Sequence, residues 1–130
     1  MKIINPEVQA CLEKGIPLKL ELGSGGNKMD GFFSVDLLPI PGVDIVANLN
    51  EALDLIPDDS VSEIYSRHTF EHVEEFLSLL SEINRICSHD AKLKIIVPHF
   101  SNPYAFSDPT HGRFFGLFSF NILSTRPISL

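Results

Sequence analysis

The sequence predicts an α/β fold built on a mainly parallel sheet of about five strands. Three observations lead to this prediction. Short apolar runs recur along the chain, and each is closed by a turn or by a polar cluster. A glycine-rich bend at residues 23–26 separates two of these runs. An amphipathic helix, predicted at residues 73–87 from its 3.6-residue apolar period, precedes the final run.

The composition indicates one globular domain, residues 1–130, with 44% hydrophobic residues. The net charge of -7, without a basic block, argues against a nucleic-acid polymer as partner. No apolar run approaches the roughly 20 residues of a membrane helix, so we expect no membrane partner. The two cysteines lie outside any metal-ligand spacing, and we expect no metal site. Together with the lack of a signal-peptide pattern, they predict a cytoplasmic protein.

The first 17 residues predict a short helix before the sheet. Asn5 is a candidate N-cap, Pro6 suits the first helical position, and Gly15 is a plausible stop. Residues 18–22 form the first predicted strand and residues 32–37 the second. The linker between them is short for a parallel crossover. Either a helix of about one turn forms around residues 27–30, or the pair is a hairpin; the glycine-then-acid arrangement favours the former.

The remaining elements follow from apolar runs and turn residues. The third predicted strand spans residues 43–47, a turn or helix follows at 50–55, the fourth strand spans 61–65, and the fifth spans 92–97. Residues 18–98 would form the core of the domain. Residues 99–130 begin with an aromatic segment that mixes phenylalanines with ionisable groups, which suits either a substrate lid or a cover over the sheet.

The stretch at residues 18–36 is the candidate ligand site. Glycines let backbone approach a ligand closely, and Asp36 at the end of the next strand suits ribose hydroxyls. Glu21 would repel a pyrophosphate but suits a cationic ligand. A glycine turn that binds nothing fits the glycines equally well. Asn48 either contacts an adenine or caps the turn that follows it.

These segments together resemble the class I S-adenosylmethionine-dependent methyltransferases, nearest to the small predicted members described as type 11. The resemblance covers roughly residues 18–98 and lies in five segments, ELGSGG at 21–26, VD at 35–36, DIVANL at 44–49, IYSRHTFEHV at 64–73 and KIIVP at 94–98. It implies a Rossmann-like three-layer sandwich with strand order 3-2-1-4-5. The C-terminal hairpin of the full family fold would be reduced or missing.

The resemblance also implies roles for individual residues. S-adenosyl-L-methionine would be the cofactor. Its contacts would come from Glu21 at the cationic end, the backbone of Gly23, Ser24 and Gly25, Asp36 at the ribose, Asn48 and Leu49 at the adenine, and His68 near the methionine portion.

The implied activity is methyl transfer to a small-molecule acceptor such as a sugar or a metabolite. His99, Asp108 and His111 are the candidate catalytic bases. The alternative from another class is a catalytically inactive cofactor-binding or regulatory protein that keeps the fold. A reduced dehydrogenase-like nucleotide-binding domain is disfavoured by Glu21 and by the missing third spaced glycine. An exposed edge at the fifth strand predicts a homodimer.

Overall fold

The computed structural model describes residues 1–97; residues 98–130 lie outside the described part. Its elements follow one another as β1 (Lys2–Ile3), α1 (Pro6–Lys14), β2 (Leu18–Leu22), β3 (Phe33–Asp36), β4 (Ile45–Val46), β5 (Val61–Arg67), a 3-10 turn (Phe70–His72), α2 (Phe76–Ile86) and β6 (Cys87–Ile96).

The strands form one six-stranded sheet in the order β1-β4-β3-β2-β5-β6. All neighbouring pairs are parallel except β1 and β4, which are antiparallel. The α/β prediction with a mainly parallel sheet is therefore confirmed. The observed order differs from the predicted five-strand order because β1, which was not predicted, adds a strand beside β4. The other five strands follow one another as the predicted third, second, first, fourth and fifth.

Helix α1 begins and ends where its capping residues predict. The Asn5 side chain accepts a hydrogen bond from the Glu7 backbone nitrogen at 2.9 Å, and Pro6 occupies the first helical position. The Gly15 nitrogen donates to the Leu12 carbonyl at 3.3 Å and closes the helix. Val8 of this helix is fully buried and packs into the hydrophobic core.

Strands β2 and β3 are parallel although their connection is short. Leu20 pairs with Phe33 and Leu22 with Val35, so the hairpin alternative is wrong. The one-turn helix expected around residues 27–30 is also absent, because residues 23–32 form turns and irregular backbone. Instead of packing a helix, this connection is held by hydrogen bonds between its backbone and the side chains of Glu21, Ser34 and Asp36. Residues 50–55 likewise form turns without a helix.

The connection from β5 to β6 contains helix α2. The predicted helix began too early, because a 3-10 turn precedes α2, which starts at Phe76. The fifth predicted strand began too late, because β6 follows α2 directly at Cys87. Val61 pairs with Cys87 but Glu63 pairs with Lys92, so β6 makes a bulge between these pairs. This bulge contains the polar residues 88–90 that suggested a helix end.

Arg85 fastens the loop before β5 to α2. Its guanidinium donates to the Leu53 carbonyl at 3.0 Å, to the Ile56 carbonyl at 2.9 Å and to Glu82. The Glu82 carboxylate also accepts from the Leu53 nitrogen at 2.7 Å. Hydrogen bonding to Glu82 and Asp58 raises the pKa of Arg85, and the hydrogen bond from Arg85 lowers the pKa of Glu82. Leu53 and Ile56 are thereby held fully buried in the core.

One hydrophobic cluster joins the sheet to both helices, with members such as Val8, Leu20, Ile64 and Ile83. The cross-strand row Lys19, Glu63 and Lys92 is polar, and Lys19 lies 3.6 Å from Glu63. Because β3, β2 and β5 are parallel, their carboxyl ends lie at one edge of the sheet. Neither α1 nor α2 is long and apolar enough to cross a membrane within residues 1–97.

Candidate functional site

The glycine turn after β2 is fitted closely between the ends of two neighbouring strands. The Gly23 nitrogen donates to the Val35 carbonyl of β3 at 2.8 Å. On the other side, a Cβ at Gly23 would lie 2.2 Å from the Thr69 hydroxyl oxygen, just after β5. Gly23 also has a φ of +73°, which other residues adopt with strain. Glycine is therefore required here by both backbone conformation and space.

Asp36 lies against the glycine turn. Its Oδ2 accepts a hydrogen bond from the Gly25 nitrogen at 2.8 Å, and its Oδ1 accepts one from the Leu38 nitrogen at 3.2 Å. The residue is half-buried at the end of β3. Carboxylate oxygens each have two lone pairs, so these two bonds leave acceptor capacity for hydroxyl groups. The structure thus brings together the glycines and the acid that the sequence placed in one site.

Glu21 supplies a second carboxylate at the same turn. It lies in β2 and is 7% exposed. Its Oε1 accepts from the Met29 nitrogen at 2.9 Å, which ties the returning part of the loop to the strand. Glu21 therefore helps to shape the loop, a role that the sequence did not suggest. Its negative charge beside that of Asp36 makes this part of the site favourable to cations.

The glycine turn does not offer its amides as a phosphate cradle. A phosphate site needs several free backbone N–H donors that converge on the anion. Here the Gly23 nitrogen donates to Val35, the Gly25 nitrogen to Asp36, and the Asn27 nitrogen to the Ser24 carbonyl at 3.3 Å. Two amides of the turn and that of Asn27 directly after it are thus already used within the protein, and the neighbouring carboxylates repel anions. The arrangement favours a ligand without phosphate at this position.

The Ser24 hydroxyl contacts a serine that sequence reasoning missed. Ser24 Oγ lies 2.7 Å from Ser34 Oγ, and Ser34 Oγ donates to the Gly25 carbonyl at 2.7 Å. Ser34 is fully buried in β3. The available signal was its position two residues before Asp36, because alternate residues of a strand share one face.

Asp44 joins this site by hydrogen bonds to the N-terminal segment of the chain. Its side chain accepts from the Ser34 nitrogen at 2.8 Å, from the Asn5 amide at 2.9 Å, and from the Lys28 ammonium. Burial acts to raise the pKa of Asp44, but these hydrogen bonds together outweigh it and lower the pKa. Lys28 lies in the connection between β2 and β3. The Asp44 carboxylate therefore joins this connection, strand β3 and the segment before α1.

The predicted adenine contacts lie at the end of β4. The Ala47 nitrogen donates to the Asp36 carbonyl at 2.9 Å, so Asn48 and Leu49 follow directly after a residue bonded to the candidate ribose acid. Asn48 Oδ1 accepts from the Asn50 nitrogen at 2.9 Å, which is the capping alternative. Leu49 is half-buried against the hydrophobic cluster.

Asn50 is a second residue that the sequence did not single out. Its Oδ1 accepts from the backbone nitrogens of Glu74 and Glu75, both at 2.9 Å. These donors lie just before α2, whose own N-cap position, Glu75, makes no side-chain capping bond. Asn50 therefore fixes the two residues directly before α2 from a distant loop, which no local sequence pattern predicts.

His68 follows β5 and precedes Thr69, the residue packed against Gly23. It adopts a φ of +53°, and its nitrogen donates to the Ile96 carbonyl at 2.7 Å. Its ring is half-exposed, with Nδ1 3.9 Å from the buried carboxylate of Glu71. His72 Nε2 lies 4.0 Å from the same carboxylate. A histidine is thus presented at the carboxyl edge of the sheet beside the glycine turn.

The three candidate bases, His99, Asp108 and His111, lie outside the described residues. Within residues 1–97, no three His, Cys, Asp or Glu side chains group as metal ligands do. The described site is therefore a glycine turn with two carboxylates, a bracing serine and a strand-end histidine, all in an α/β protein with a mainly parallel sheet.

Comparison with known proteins bears on the fold. No protein-family model matches the chain, and no curated protein matches it. Among solved structures, the chain is similar to the YcgJ protein from Bacillus subtilis, with a TM-score of 0.56 and 14% sequence identity. The matched region covers 91% of this chain and 65% of that one, so the chain spans about two thirds of YcgJ. The likeness supports the α/β architecture and extends no further.

Proposed function

We propose that the chain binds S-adenosyl-L-methionine across the carboxyl edge of its sheet and transfers the methyl group to a small-molecule acceptor. The fold would be the Rossmann-like three-layer sandwich of the class I methyltransferases. One observation carries the proposal: Asp36 meets the glycine turn between parallel strands, while the Gly23 and Gly25 amides of that turn donate within the protein. A nucleoside without phosphates fits this arrangement better than a dinucleotide.

The charges at the site support a cationic ligand. Glu21 and Asp36 lie on adjacent strands, before and after the glycine turn in sequence. The Glu21 carboxylate is held in place by a hydrogen bond from the Met29 backbone nitrogen. Asp36 keeps acceptor capacity for two ribose hydroxyls beyond its bonds to Gly25 and Leu38. Leu49 would supply apolar contact at the adenine. Asn48, whose Oδ1 accepts from the Asn50 nitrogen, would contact the adenine edge with its remaining acceptor capacity or its NH2 group.

The protein's part in the reaction would be alignment. The sulfonium supplies the activated methyl group, so the chain has mainly to bind and orient it against the acceptor. Glu21 would hold the cationic end, and the backbone of Gly23, Ser24 and Gly25 would line it closely. His68 would face the methionine portion from the end of β5. A base is required only for an acceptor that loses a proton, and His99, Asp108 and His111 are the candidates.

The first experiment measures ligand binding by thermal shift with S-adenosylhomocysteine. At about 100 times its dissociation constant, a ligand that binds only the folded state adds about 2.7 kcal/mol of stability. Asp36→Ala should lose most of this shift because the ribose acceptor is removed. Asp30→Ala, an exposed carboxylate in the same loop, is the matched control and should keep it. An equal shift in Asp36→Ala and in the unmodified chain would contradict the ribose assignment.

Turnover separates the active enzyme from a cofactor-binding regulatory protein, because both bind the ligand. The full chain is incubated with methyl-labelled S-adenosyl-L-methionine and acceptors that include sugars, phenols and small amines. Label in an acceptor, lost in Asp36→Ala, would support the transferase. A homodimer, a cytoplasmic location and a small-molecule partner remain predictions, and a monomer mass in solution would contradict the first.

A further inference from the structure

Ser34 is a buried serine whose hydroxyl serves the glycine turn. It lies inside β3 with none of its surface exposed. Its Oγ is 2.7 Å from the Gly25 carbonyl oxygen and 2.7 Å from Ser24 Oγ. Most buried hydroxyls are hydrogen-bonded, and this one contacts two groups of the β2–β3 connection, the Ser24 hydroxyl and the Gly25 carbonyl.

The direction of these bonds follows from counting protons. Each serine hydroxyl has one proton to donate and can accept from others. Ser34 donates to the Gly25 carbonyl, which cannot donate in return. The Ser24 hydroxyl therefore donates to Ser34 at 2.7 Å, a shorter contact than its 3.4 Å approach to the Gly25 carbonyl. The result is a chain from Ser24 through Ser34 to Gly25.

Gly25 is consequently held at both of its backbone polar groups by the same strand. Ser34 bonds its carbonyl, and Asp36 bonds its N–H at 2.8 Å. Residues two apart on a strand present their side chains to one face, which is why both reach the same residue. Asp44 in turn fixes Ser34: its carboxylate accepts from the Ser34 nitrogen at 2.8 Å, and its backbone nitrogen donates to the Ser34 carbonyl at 3.1 Å.

We propose that Ser34 is a positioning residue for the cofactor site: it fixes the Gly25 carbonyl so that the Gly25 N–H meets Asp36 and the turn is shaped before the ligand arrives. This inference rests on the proposed function for the identity of the ligand. Without the hydroxyl, the Ser24 hydroxyl and the Gly25 carbonyl each lose a partner. The turn then samples other conformations, and binding must order it again, which weakens affinity.

The test compares Ser34→Ala with Ser66→Ala in the full chain. Ser66 is equally buried, on the neighbouring strand β5, and its hydroxyl makes one long bond to the Leu22 carbonyl at 3.4 Å. Affinity for S-adenosylhomocysteine is measured by titration calorimetry. The loss of one net hydrogen bond predicts about tenfold weaker binding in Ser34→Ala. Ser66→Ala should bind within about twofold of the unmodified chain.

Amide hydrogen exchange without ligand supplies a second readout. The Gly25 amide should exchange at least about tenfold faster in Ser34→Ala, because its bond to Asp36 is no longer held in place. The Gly23 amide, bonded to the Val35 carbonyl, is the internal reference and should be unchanged. A general loss of stability would instead accelerate both amides.

The outcomes separate the positioning role from the proposed function. Unchanged affinity with an unchanged Gly25 amide in Ser34→Ala would overturn the positioning role. If the unmodified chain does not bind S-adenosylhomocysteine, the proposed function fails, and the Gly25 amide still decides whether Ser34 shapes the turn. If the alanine variant does not fold, Ser34→Cys replaces it, because a thiol fills a similar space but donates weakly. Faster Gly25 exchange in that variant would support the role.

Discussion

Two of the connections between parallel neighbouring strands, β2 to β3 and β5 to β6, are held together in opposite ways. The connection from β2 to β3, residues 23–32, has no helix and is fixed by side chains that bond its backbone, chiefly those of Asp36, Ser34 and Glu21. The connection from β5 to β6 contains α2, which packs apolar side chains such as Phe76 and Ile83 into the core. A parallel crossover usually needs a dozen or more residues and a helix, and only the second has this form.

The difference separates geometry from stability. Apolar burial is strong but non-directional, so α2 contributes stability without fixing any atom at the site. Hydrogen bonds contribute less net free energy but set positions and angles. The short connection therefore specifies the shape of the glycine turn, and helix α2 of the long connection keeps the sheet folded. Variants on the two connections should change stability and binding to different extents.

The largest expected effect comes from the helical connection. Phe76 is 3% exposed, and its ring packs edge-on against Phe70 with 6.1 Å between centroids. Phe76→Ala should lower the free energy of unfolding by about 4 kcal/mol, measured by urea denaturation. Leu77→Ala, at 64% exposure on the same helix, should change it by less than about 0.5 kcal/mol. If folded Phe76→Ala also binds S-adenosylhomocysteine much more weakly, the proposed separation is wrong.

Compared with Phe76→Ala, a substitution in the short connection should lower the free energy of unfolding less and weaken ligand binding more. In Gly23→Ala the added methyl group would clash with the Thr69 side chain, and the backbone would have to keep a positive φ. We expect the free energy of unfolding to fall by about 3 kcal/mol and binding of S-adenosylhomocysteine to be abolished. Gly31→Ala is the control, because Gly31 also has a positive φ, +84°, but open space around the added methyl. It should lose only about 1 kcal/mol in the same urea titration and should still bind. Equal losses in both variants would remove Thr69 from the explanation.

The smallest of the three effects depends on pH. Because the pKa of Asp44 is lowered in the folded protein, its contribution is present above the ordinary value of 3.8 and is lost as pH falls through the lowered folded value. Asp44→Asn should lose about 2 kcal/mol at about pH 7. The difference from the unmodified chain should shrink towards about pH 3, and Lys28→Ala should show part of the same trend. A difference that is constant with pH would mean that the charge is not what stabilises the contact.

Much of the fold followed from local patterns. The caps of α1, the apolar runs of β2, β3 and β5, and the period of α2 each depend on neighbouring residues, and all appear in the structure. The two-residue strand β1 was missed because only its pairing with β4 makes it a strand. The start of α2 was misplaced, and the amides of Glu74 and Glu75 directly before it bond to Asn50, more than 20 residues earlier, which a local pattern does not show.

The site divides in the same way. Glycines followed by a strand-end acid are readable from sequence, and Gly25 and Asp36 do meet. Ser34 and Asp44 were not recognised as supports of the turn. Ser34 bonds back to Gly25 in the β2–β3 connection, and Asp44 reaches Ser34 only through the pairing of β3 with β4. Glu21 was singled out for its charge alone, although it also bonds the Met29 nitrogen. Sequence thus indicates the residues that face the ligand better than those that hold them.

The close approach of two loops beside the site limits how it can be re-engineered. A Cβ on Gly26 would lie 2.4 Å from the Pro41 carbonyl, and one on Gly42 would lie 2.6 Å from the Gly26 carbonyl. The backbones of the two loops at Gly26 and Gly42 are therefore in close contact, and a side chain at either position would push the loops apart. A library aimed at a new ligand should diversify exposed neighbours such as Met29, Leu38 and Ile40 and leave both glycines untouched.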